Sequence, residues 1–466
     1  MIGITAYSSY VPRLRMAREL ITGAWGTAQP AGEIAVGNYD EDSLTMATEA
    51  ALECIAAENG DIDGLYFAST SAPYAEKQVA SLIATACDLP RRSQTADFTG
   101  SARAGMSALV AAANAVRAEA RRRVLVAAGD ARLAAPESDL EGLLGDAAAA
   151  VLVGSEHVIA EIVQTASISE EFTHMWRLDG DRFVQAFPGR FSNTYGYARD
   201  VGEAIDMVLK AQGLEARAVA KIAVYSPDAR AAADLAKQLG FDPKTQLVTP
   251  ATAAIGSAGT ADALLALGAA LDTAAPGDWI VAAGYGAGAD AVLLRATDEL
   301  PKRRAVRSWK QWFDAKLTLP SYAKYLKLRR IVEVDAAGEA INNVLEYNEL
   351  KQDVRLYGSR CESCGMVKFP IARVCIQCKG RDCLADHKLK KTGTIFTFTV
   401  DHLIANIEHP LPMAVVDIDD GGRLYLQVTD FEEDEVTIGK PVQLTFRRLH
   451  EGGGNHNYFW KARPLR

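Results

Sequence analysis

The sequence predicts a layered α/β domain with an internal duplication, followed by a small zinc ribbon and a small β-barrel. Residues 1–300 alternate short apolar runs with long Ala-rich helical patterns, which is typical of strand–helix–strand units. Two Cys-x-x-Cys pairs stand between residues 361 and 378, inside the segment 354–390 that we assign to the ribbon. Residues 391–466 are rich in β-branched residues and contain glycine-rich turns, which fits a small barrel.

Composition and charge narrow the class of protein. The chain has 466 residues, 49% of them hydrophobic and 23% charged, which are ordinary globular values. Its formal net charge of −9 argues against a nucleic-acid protein and against a basic protein of membrane surfaces. The sequence has no signal-peptide pattern and no uninterrupted apolar run of membrane-spanning length. We therefore expect a cytoplasmic protein that binds neither nucleic acid nor membrane.

Two segments of the α/β domain share one pattern. In each, Gly-Ser-Ala precedes an Ala-rich helical stretch and an apolar strand that ends in glycine, and a second apolar strand follows. In the first copy the glycines are Gly100 and Gly129, 29 residues apart, and the strands are Val124–Ala128 and Ala147–Val153. In the second copy the glycines are Gly256 and Gly284, 28 residues apart, and the strands are Trp279–Ala283 and Ala289–Leu294. A duplicated fold would bring two buried helices together at its centre. Chance similarity between Ala-rich units is the alternative.

The cysteines predict a metal site. Five of the seven lie between Cys361 and Cys383, which favours metal binding over disulfides in a large chain without a secretory signal. Cys361 and Cys364 form one pair, Cys375 and Cys378 the other, and four thiolates at this spacing make a closed, structural zinc site. We expect Cys383 to be a spare thiol. A site without metal, or a disulfide pair, is the alternative.

A family resemblance rests on several segments of the first 330 residues. They are residues 69–75, 96–98, 103–105, 176–180, 189–191, 236–241 and 321–325, including Trp-Arg-Leu-Asp-Gly at 176–180 and Ser-Tyr-Ala-Lys-Tyr at 321–325. They resemble the 3-hydroxy-3-methylglutaryl-CoA synthase family of the thiolase superfamily, especially its archaeal branch. With its cysteines and its tail, 458–464, the region 354–466 resembles the acyl-CoA-associated zinc-ribbon/OB-fold family. The resemblance implies a thiolase-like fold, acyl-CoA substrates, and a homodimer or a dimer of dimers.

The chain departs from that family at the residues that carry the reaction. An ungapped comparison places Ala102 at the family's cysteine nucleophile, Thr70 at its glutamate, Tyr225 at its histidine and Ser257 at an asparagine. The remaining cysteines of this region, 54 and 87, lie in or at the end of helical patterns and are expected to be core thiols. We therefore predict that no acyl-cysteine intermediate forms.

Other residues could serve this site. Ser101 precedes a helix, where backbone N–H groups can hold an oxyanion. Tyr225 could act as a general acid or base, a pattern that resembles the steroid side-chain retro-aldolases, which lack the cysteine, rely on tyrosines and need a zinc-ribbon/OB-fold partner. Tyr285 stands in the glycine run 284–288, which could place N–H donors near a thioester carbonyl. A strand aromatic and a tight turn are the plain alternatives. We expect His174 to be a surface histidine.

Residues 301–353 form a basic extension and a helical connector, the latter over 333–350. Between 302 and 330 stand ten Lys or Arg and one acid, Asp314. Lys324, Lys327, Arg329 and Arg330 are candidates to bind the phosphates of coenzyme A. A solvated basic face or a contact with another domain would also explain the run.

Three hypotheses about the function of this chain remain. The leading hypothesis is an enzyme that makes or breaks a C–C bond beta to a CoA thioester, by retro-aldol or Claisen-type chemistry on a β-hydroxy- or β-keto-acyl-CoA, without an acyl-cysteine. The second is a non-catalytic acyl-CoA-binding scaffold for an active thiolase-fold partner. The third is a synthase-like acyltransferase with a replaced nucleophile.

Overall fold

The computed structural model describes residues 1–465 except 59, 173, 229, 250, 334–341, 404–407 and 409. The chain forms two compact units. Unit 1 comprises Met1–Gly37, Asp42–Ala84 and Leu89–Tyr325, and unit 2 comprises Asn38–Glu41, Thr85–Asp88 and Leu326–Arg466. Residues 301–325 of the basic extension therefore belong to the same compact unit as the α/β domain.

Unit 1 is a layered α/β structure. Its strands are β1 (Gly3–Tyr10), β2 (Leu14–Ala17), β3 (Glu33–Val36), β4 (Gly64–Ala68), β5 (Gln94–Phe98), β6 (Val124–Asp130), β7 (Ala147–Gly154), β8 (Ala160–Ser169), β9 (Met175–Trp176), β10 (Gln185–Ala186), β11 (Val219–Val224), β12 (Trp279–Tyr285), β13 (Gly288–Ala296) and β14 (Leu317–Thr318). The helices that begin in this unit are α1 (Glu19–Trp25), α2 (Ser43–Cys54), α3 (Val79–Ala86), α4 (Ala104–Arg117), α5 (Gly189–Ser192), α6 (Ala198–Ala211), α7 (Ala231–Gln238), α8 (Ala251–Ile255), α9 (Asp262–Thr273), α10 (Trp309–Asp314) and α11 (Tyr322–Leu328).

The main sheet of unit 1 confirms the predicted duplication. Its described strands run in the order β11-β12-β13-β8-β1-β7-β6-β4-β5. In one half β4 pairs parallel with β6, β6 antiparallel with β7, and β7 antiparallel with β1. In the other half β11 pairs parallel with β12, β12 antiparallel with β13, and β13 antiparallel with β8. The two halves repeat the same order and directions. Beyond these strands β5 pairs parallel with β4, and Leu247 forms a parallel bridge to Ile222 of β11.

The equivalent helices α4 and α9 begin close to one another. Nearly every residue of α9 is buried, and α4 buries a face made largely of alanine. Gly105, in the first turn of α4, lies against the backbone just before α9: a Cβ at this position would be 2.1 Å from the Thr260 carbonyl oxygen. Small residues therefore let the two helix N-termini meet, as the duplication predicts.

Unit 2 contains the ribbon and the barrel. Its helix α12 (Asn343–Asp353) falls in the predicted connector, whose residues 334–341 lie outside the described part. Its strands are β15 (Tyr357–Cys361), β16 (Val367–Lys368), β17 (Leu384–Lys388), β18 (Thr392–Asp401), β19 (Leu411–Ile418), β20 (Arg423–Gln427), β21 (Pro441–Gly452) and β22 (Asn455–Pro464). The ribbon sheet has the order β16-β15-β17 and the barrel sheet β20-β19-β18-β21-β22. A bridge between Val428 and Ala462 links the two ends of the barrel sheet.

The barrel of unit 2 encloses ionised side chains. Arg447 and Lys461 are both 0% exposed. Arg447 Nη2 lies 2.6 Å from Asp430 Oδ2, and Lys461 Nζ lies 2.9 Å from Asp40 Oδ2. Because a buried charge is stable only when it is paired, the short segment Asn38–Glu41 is an integral part of this unit.

Helices of the described residues are all too short or too polar to cross a lipid bilayer.

Candidate active site and metal centre

Two predicted tyrosines lie side by side at one edge of the main sheet. Tyr225 directly follows β11 and Tyr285 ends β12, and because these strands are parallel neighbours, their ends meet at the same edge. The Tyr225 N–H donates to the Ala283 carbonyl oxygen at 3.0 Å. The two ring centroids are 6.3 Å apart, and the residues are only 2% and 1% exposed. The structure therefore brings the two predicted tyrosines together in a buried site.

A third tyrosine and a histidine complete this aromatic cluster. The Tyr197 hydroxyl donates to the Tyr225 carbonyl oxygen at 2.7 Å, and its ring centroid lies 5.5 Å from that of Tyr285. His174 lies 5.3 Å from the Tyr285 ring and is only 9% exposed. The prediction of a surface histidine was therefore wrong, because the chain before β9 packs against Tyr285. Burial, assisted by the Arg132 charge, lowers the pKa of His174 to about 4, so the imidazole is neutral at pH 7.

The hydroxyl groups of Tyr225 and Tyr285 are buried donors. Among the residues that the structure describes, the Tyr285 hydroxyl has no hydrogen-bond partner, and the Tyr225 hydroxyl lies beside Ser257 without forming a hydrogen bond of ordinary geometry. Burial raises the pKa of both phenols well above the ordinary tyrosine value. Both are therefore protonated at neutral pH, and both can donate a hydrogen bond to an oxygen atom that enters the site.

Ser257 connects a carboxylate to an arginine in this site. Its Oγ donates to Asp262 Oδ2 at 2.8 Å and accepts from Arg132 Nη2 at 2.9 Å. Asp262, the first residue of α9, also accepts from the Ala258 N–H at 2.8 Å. Burial raises the pKa of Asp262 to about 6, while the Ala258 N–H and the Arg132 charge oppose this increase. Ser257 also lies beside the Tyr225 phenol and opposes the increase in its pKa.

Ser101 is tied to the turn that follows Tyr285. Its Oγ donates to the Gly286 carbonyl oxygen at 2.8 Å, so its hydrogen is directed to backbone. A Cβ at Gly286 would lie 2.3 Å from this Oγ, and Gly286 has a φ of +150°, a value that favours glycine. The predicted glycine turn thus brings the chain between β5 and α4 against the end of β12.

Asp130 links loops of both halves, and the sequence reasoning missed it. Its Oδ1 accepts from the Thr70 N–H at 2.8 Å and from the Ser71 hydroxyl at 2.7 Å, and its Oδ2 accepts from the Thr260 N–H at 2.9 Å. Arg132 and Asp262 were missed as well. The sequence does contain a signal for Asp130 and Arg132: both charged residues follow an apolar run, in Gly129-Asp130-Ala131-Arg132.

The predicted coenzyme A contacts lie on α11 and directly after it. The boundary between the compact units falls after Tyr325, between Lys324 and Lys327. Lys327 is exposed and Arg329 is half-buried. Arg330 Nη1 lies 2.6 Å from Glu451 Oε2, so this guanidinium already forms an ion pair. Their role in binding phosphate stays a prediction.

The four predicted metal ligands converge in the ribbon. The ligand atoms of Cys361, Cys364, Cys375 and Cys378 all lie within 4.8 Å of one another. The Cys361–Cys378 and Cys364–Cys375 sulfur distances are 3.7 and 3.6 Å. Zinc–sulfur bonds of about 2.3 Å give a tetrahedron with edges of about 3.8 Å, so this sulfur set fits zinc. The fifth thiol, Cys383, lies 3.7 Å from Cys361 but is not part of the four-sulfur set.

Comparisons with known proteins agree with the fold. The hydroxymethylglutaryl-CoA synthase of Methanocella arvoryzae is 31% identical over 339 residues, which are 70% of this chain and 97% of that protein. The enzyme of the same name from Archaeoglobus fulgidus is 31% identical over 349 residues, 72% of this chain and all of the relative. A solved structure of MvaS in complex with 3-hydroxy-3-methylglutaryl coenzyme A is 21% identical, with a TM-score of 0.63, and the match covers 73% of this chain and 94% of that one. Residues 386–447 match the family model described as the ChsH2 C-terminal OB-fold domain.

Proposed function

The chain belongs to the hydroxymethylglutaryl-CoA synthase family, and from this premise we propose that it makes or breaks the C–C bond beta to the thioester of an acyl-CoA, with tyrosines in place of a cysteine nucleophile. The substrate class is a β-hydroxy- or β-keto-acyl-CoA. Aldol-type and Claisen-type reactions both pass through an enolate at the carbon next to the thioester, so one site can stabilise it in bond formation and in bond cleavage. Cleavage of a β-keto-acyl-CoA also consumes a nucleophile, such as the thiol of free coenzyme A, which accepts the released acyl group.

One observation carries this proposal: two buried phenol hydroxyls, on Tyr225 and Tyr285, form no hydrogen bond of ordinary geometry with the described residues. A buried donor without an acceptor costs about 1–3 kcal/mol, so such groups are kept where a ligand atom completes them. Two donors on neighbouring strand ends, with ring centroids 6.3 Å apart, could serve a substrate with two nearby oxygens. A β-hydroxyacyl thioester has this pair, the β-oxygen and the thioester carbonyl.

The two phenols would have different tasks. The Tyr225 hydroxyl lies beside Ser257, and we assign it to the β-oxygen, where it exchanges a proton. We assign the Tyr285 hydroxyl to the thioester oxygen, where a hydrogen bond stabilises the negative charge of the enolate. His174, beside Tyr285, is neutral at pH 7 and therefore brings no positive charge to the thioester oxygen.

Covalent catalysis has little support in this site. Ala102 stands where the family resemblance places the nucleophile, and a methyl group cannot attack a thioester. Cys54 lies at the last residue of α2 and is buried, which suits a core thiol. The Ser101 hydroxyl donates to a backbone carbonyl rather than to a base, so we propose that it only shapes the turn.

Coenzyme A and zinc would have supporting roles. The MvaS structure shows that a protein of this fold holds an acyl-CoA, and we propose that this chain does so too. Zinc, held by the four ribbon cysteines, would cross-link unit 2 and would leave no position for a substrate.

The test is the variant Tyr225→Phe in the full-length protein. It should lower cleavage of 3-hydroxy-3-methylglutaryl-CoA or another β-hydroxyacyl-CoA by about 10²–10⁴-fold, the usual effect of a lost proton-transfer group. Coenzyme A affinity, measured by calorimetry, should stay nearly unchanged. Tyr66→Phe is the matched control, because its buried side chain lies on β4 and its hydroxyl bonds Gln94. An unaffected rate in Tyr225→Phe removes this residue from the mechanism.

The alternative is an acyl-CoA-binding scaffold for an active partner, which the replacement of the family's reactive residues by Ala102 and Thr70 would favour. A synthase-like acyltransferase with a new nucleophile is the third possibility. Protein that binds coenzyme A but turns over no β-hydroxy- or β-keto-acyl-CoA supports the scaffold, and a covalent acyl adduct supports the acyltransferase.

A further inference from the structure

A retro-aldol reaction needs a base, and neither phenol can be one at neutral pH because burial keeps both protonated. His174 is neutral, but it lies against Tyr285 rather than beside Ser257. A carboxylate is present instead: Asp262 is 2% exposed, and its Oδ2 accepts from the Ser257 hydroxyl at 2.8 Å.

Hydrogen-bond capacity connects Asp262 with Tyr225. A serine hydroxyl has one hydrogen and two lone pairs. Ser257 directs its hydrogen to Asp262 and uses one lone pair for Arg132 Nη2, at 2.9 Å. The second lone pair remains for the Tyr225 hydroxyl, which lies beside Ser257 and forms no hydrogen bond of ordinary geometry with the described residues.

We propose that Asp262 is the proton acceptor of this site and acts through Ser257 and Tyr225; this inference rests on the proposed function. The β-hydroxyl proton moves to the Tyr225 oxygen, the phenol proton to Ser257, and the serine proton to the Asp262 carboxylate. The β-C–O bond becomes a carbonyl as the Cα–Cβ bond breaks, and its electron pair forms the enolate of the shortened acyl-CoA. The proton returns along the same path to Cα, so no co-reactant is needed.

The groups around Asp262 suit this task. Its neighbours at the start of α9 are Ser257 and the Ala258 N–H. Asp130 and Arg132, at the end of β6, and Tyr225, at the end of β11, also face it. Burial and the Asp130 charge favour the protonated acid, while Arg132 favours the carboxylate. The balance keeps its pKa at about 6, so the group is mostly ionised at pH 7 and yet can hold a proton during turnover.

The variant Asp262→Asn separates a proton-accepting role of Asp262 from a purely structural one. The amide oxygen can still accept from the Ala258 N–H, so the loop geometry is kept. We expect kcat/KM of the wild-type protein to fall as pH decreases through about 6, and that of Asp262→Asn to be about 10²–10⁴-fold lower and level between pH 5 and 7. Adding Tyr225→Phe to Asp262→Asn should cost little more, because both residues serve one transfer.

Asp146→Asn is the matched control. Asp146 is also a buried carboxylate, and it accepts from the Gly37 N–H at 2.7 Å. This variant should keep the wild-type pH profile. An Asp262→Asn enzyme with the wild-type profile would overturn the inference.

A second measurement does not depend on turnover. Because the folded-state pKa of Asp262 is raised, its ionisation lowers stability as pH rises from about 4 to about 6. The Tm of Asp262→Asn should therefore rise relative to that of the wild-type protein over this range. Absence of wild-type turnover would overturn the proposed function, whereas equal pH dependence of the two Tm values would overturn the role of Asp262.

Discussion

At the scale of single residues, Ala102 and Ser101 decide whether the site can hold a covalent intermediate. We predict that incubation with acetyl-CoA leaves no acyl adduct, because Ala102 has no nucleophile and the Ser101 hydrogen is directed to the Gly286 carbonyl. Intact-mass spectrometry checks this. Ala102→Cys is the positive control, since a thiol before α4 should be activated by the helix N-terminus and acquire the acetyl group. An acetyl group on Ser101 of the unmodified protein would contradict the prediction.

At the scale of elements, we expect the ribbon strands β15 and β17 to depend on a metal ion for their stability. Three short strands bury too little apolar surface to be stable alone, so a cross-link at the sulfur cluster would supply much of their stability. We predict one zinc per chain in metal analysis, and its loss in Cys361→Ser. Heat should then unfold unit 2 of that variant first.

Cys383→Ser is the matched control, because this thiol lies 3.7 Å from Cys361 and yet stands outside the four-sulfur set. It should retain its zinc. Well under one equivalent of zinc in carefully purified wild-type protein would contradict the assignment.

At the scale of the whole molecule, the family membership predicts a dimer or a dimer of dimers. Strand β5 ends the main sheet and pairs there with β4, and its outer edge is a natural place for a second chain to add its own β5. Light scattering at micromolar concentration should give at least twice the mass of one chain. Thr95→Lys would place a charged and strongly hydrated side chain on this strand edge and should favour the monomer. Ala220→Lys, on β11 at the opposite end of the sheet, should leave the dimer intact. A monomeric wild-type protein would contradict the prediction.

Local pattern was sufficient for the fold class. Short apolar runs and Ala-rich helical patterns located the strands and helices of both copies, with strand ends displaced by one or two residues: the strand predicted at Trp279–Ala283 extends to Tyr285. The ribbon cysteines were equally accessible, because the ligands of a zinc ribbon lie close together in sequence. Tyr225 could be proposed because the family resemblance places it at a histidine, and Tyr285 because it stands just after a predicted strand of the second copy.

The sequence by itself therefore determined a duplicated α/β unit followed by a cysteine-rich ribbon and a barrel, and it predicted Tyr225 and Tyr285 as residues of the site. Only the tertiary structure decided that His174 is buried, that both phenols are buried without a hydrogen bond of ordinary geometry to the described residues, and that Ser257 joins Asp262 to Arg132. It also placed the segment Asn38–Glu41 within unit 2, where Asp40 pairs with Lys461. The physical reason is that burial and hydrogen-bond partners, which set the pKa of a group, come from residues far apart in the chain.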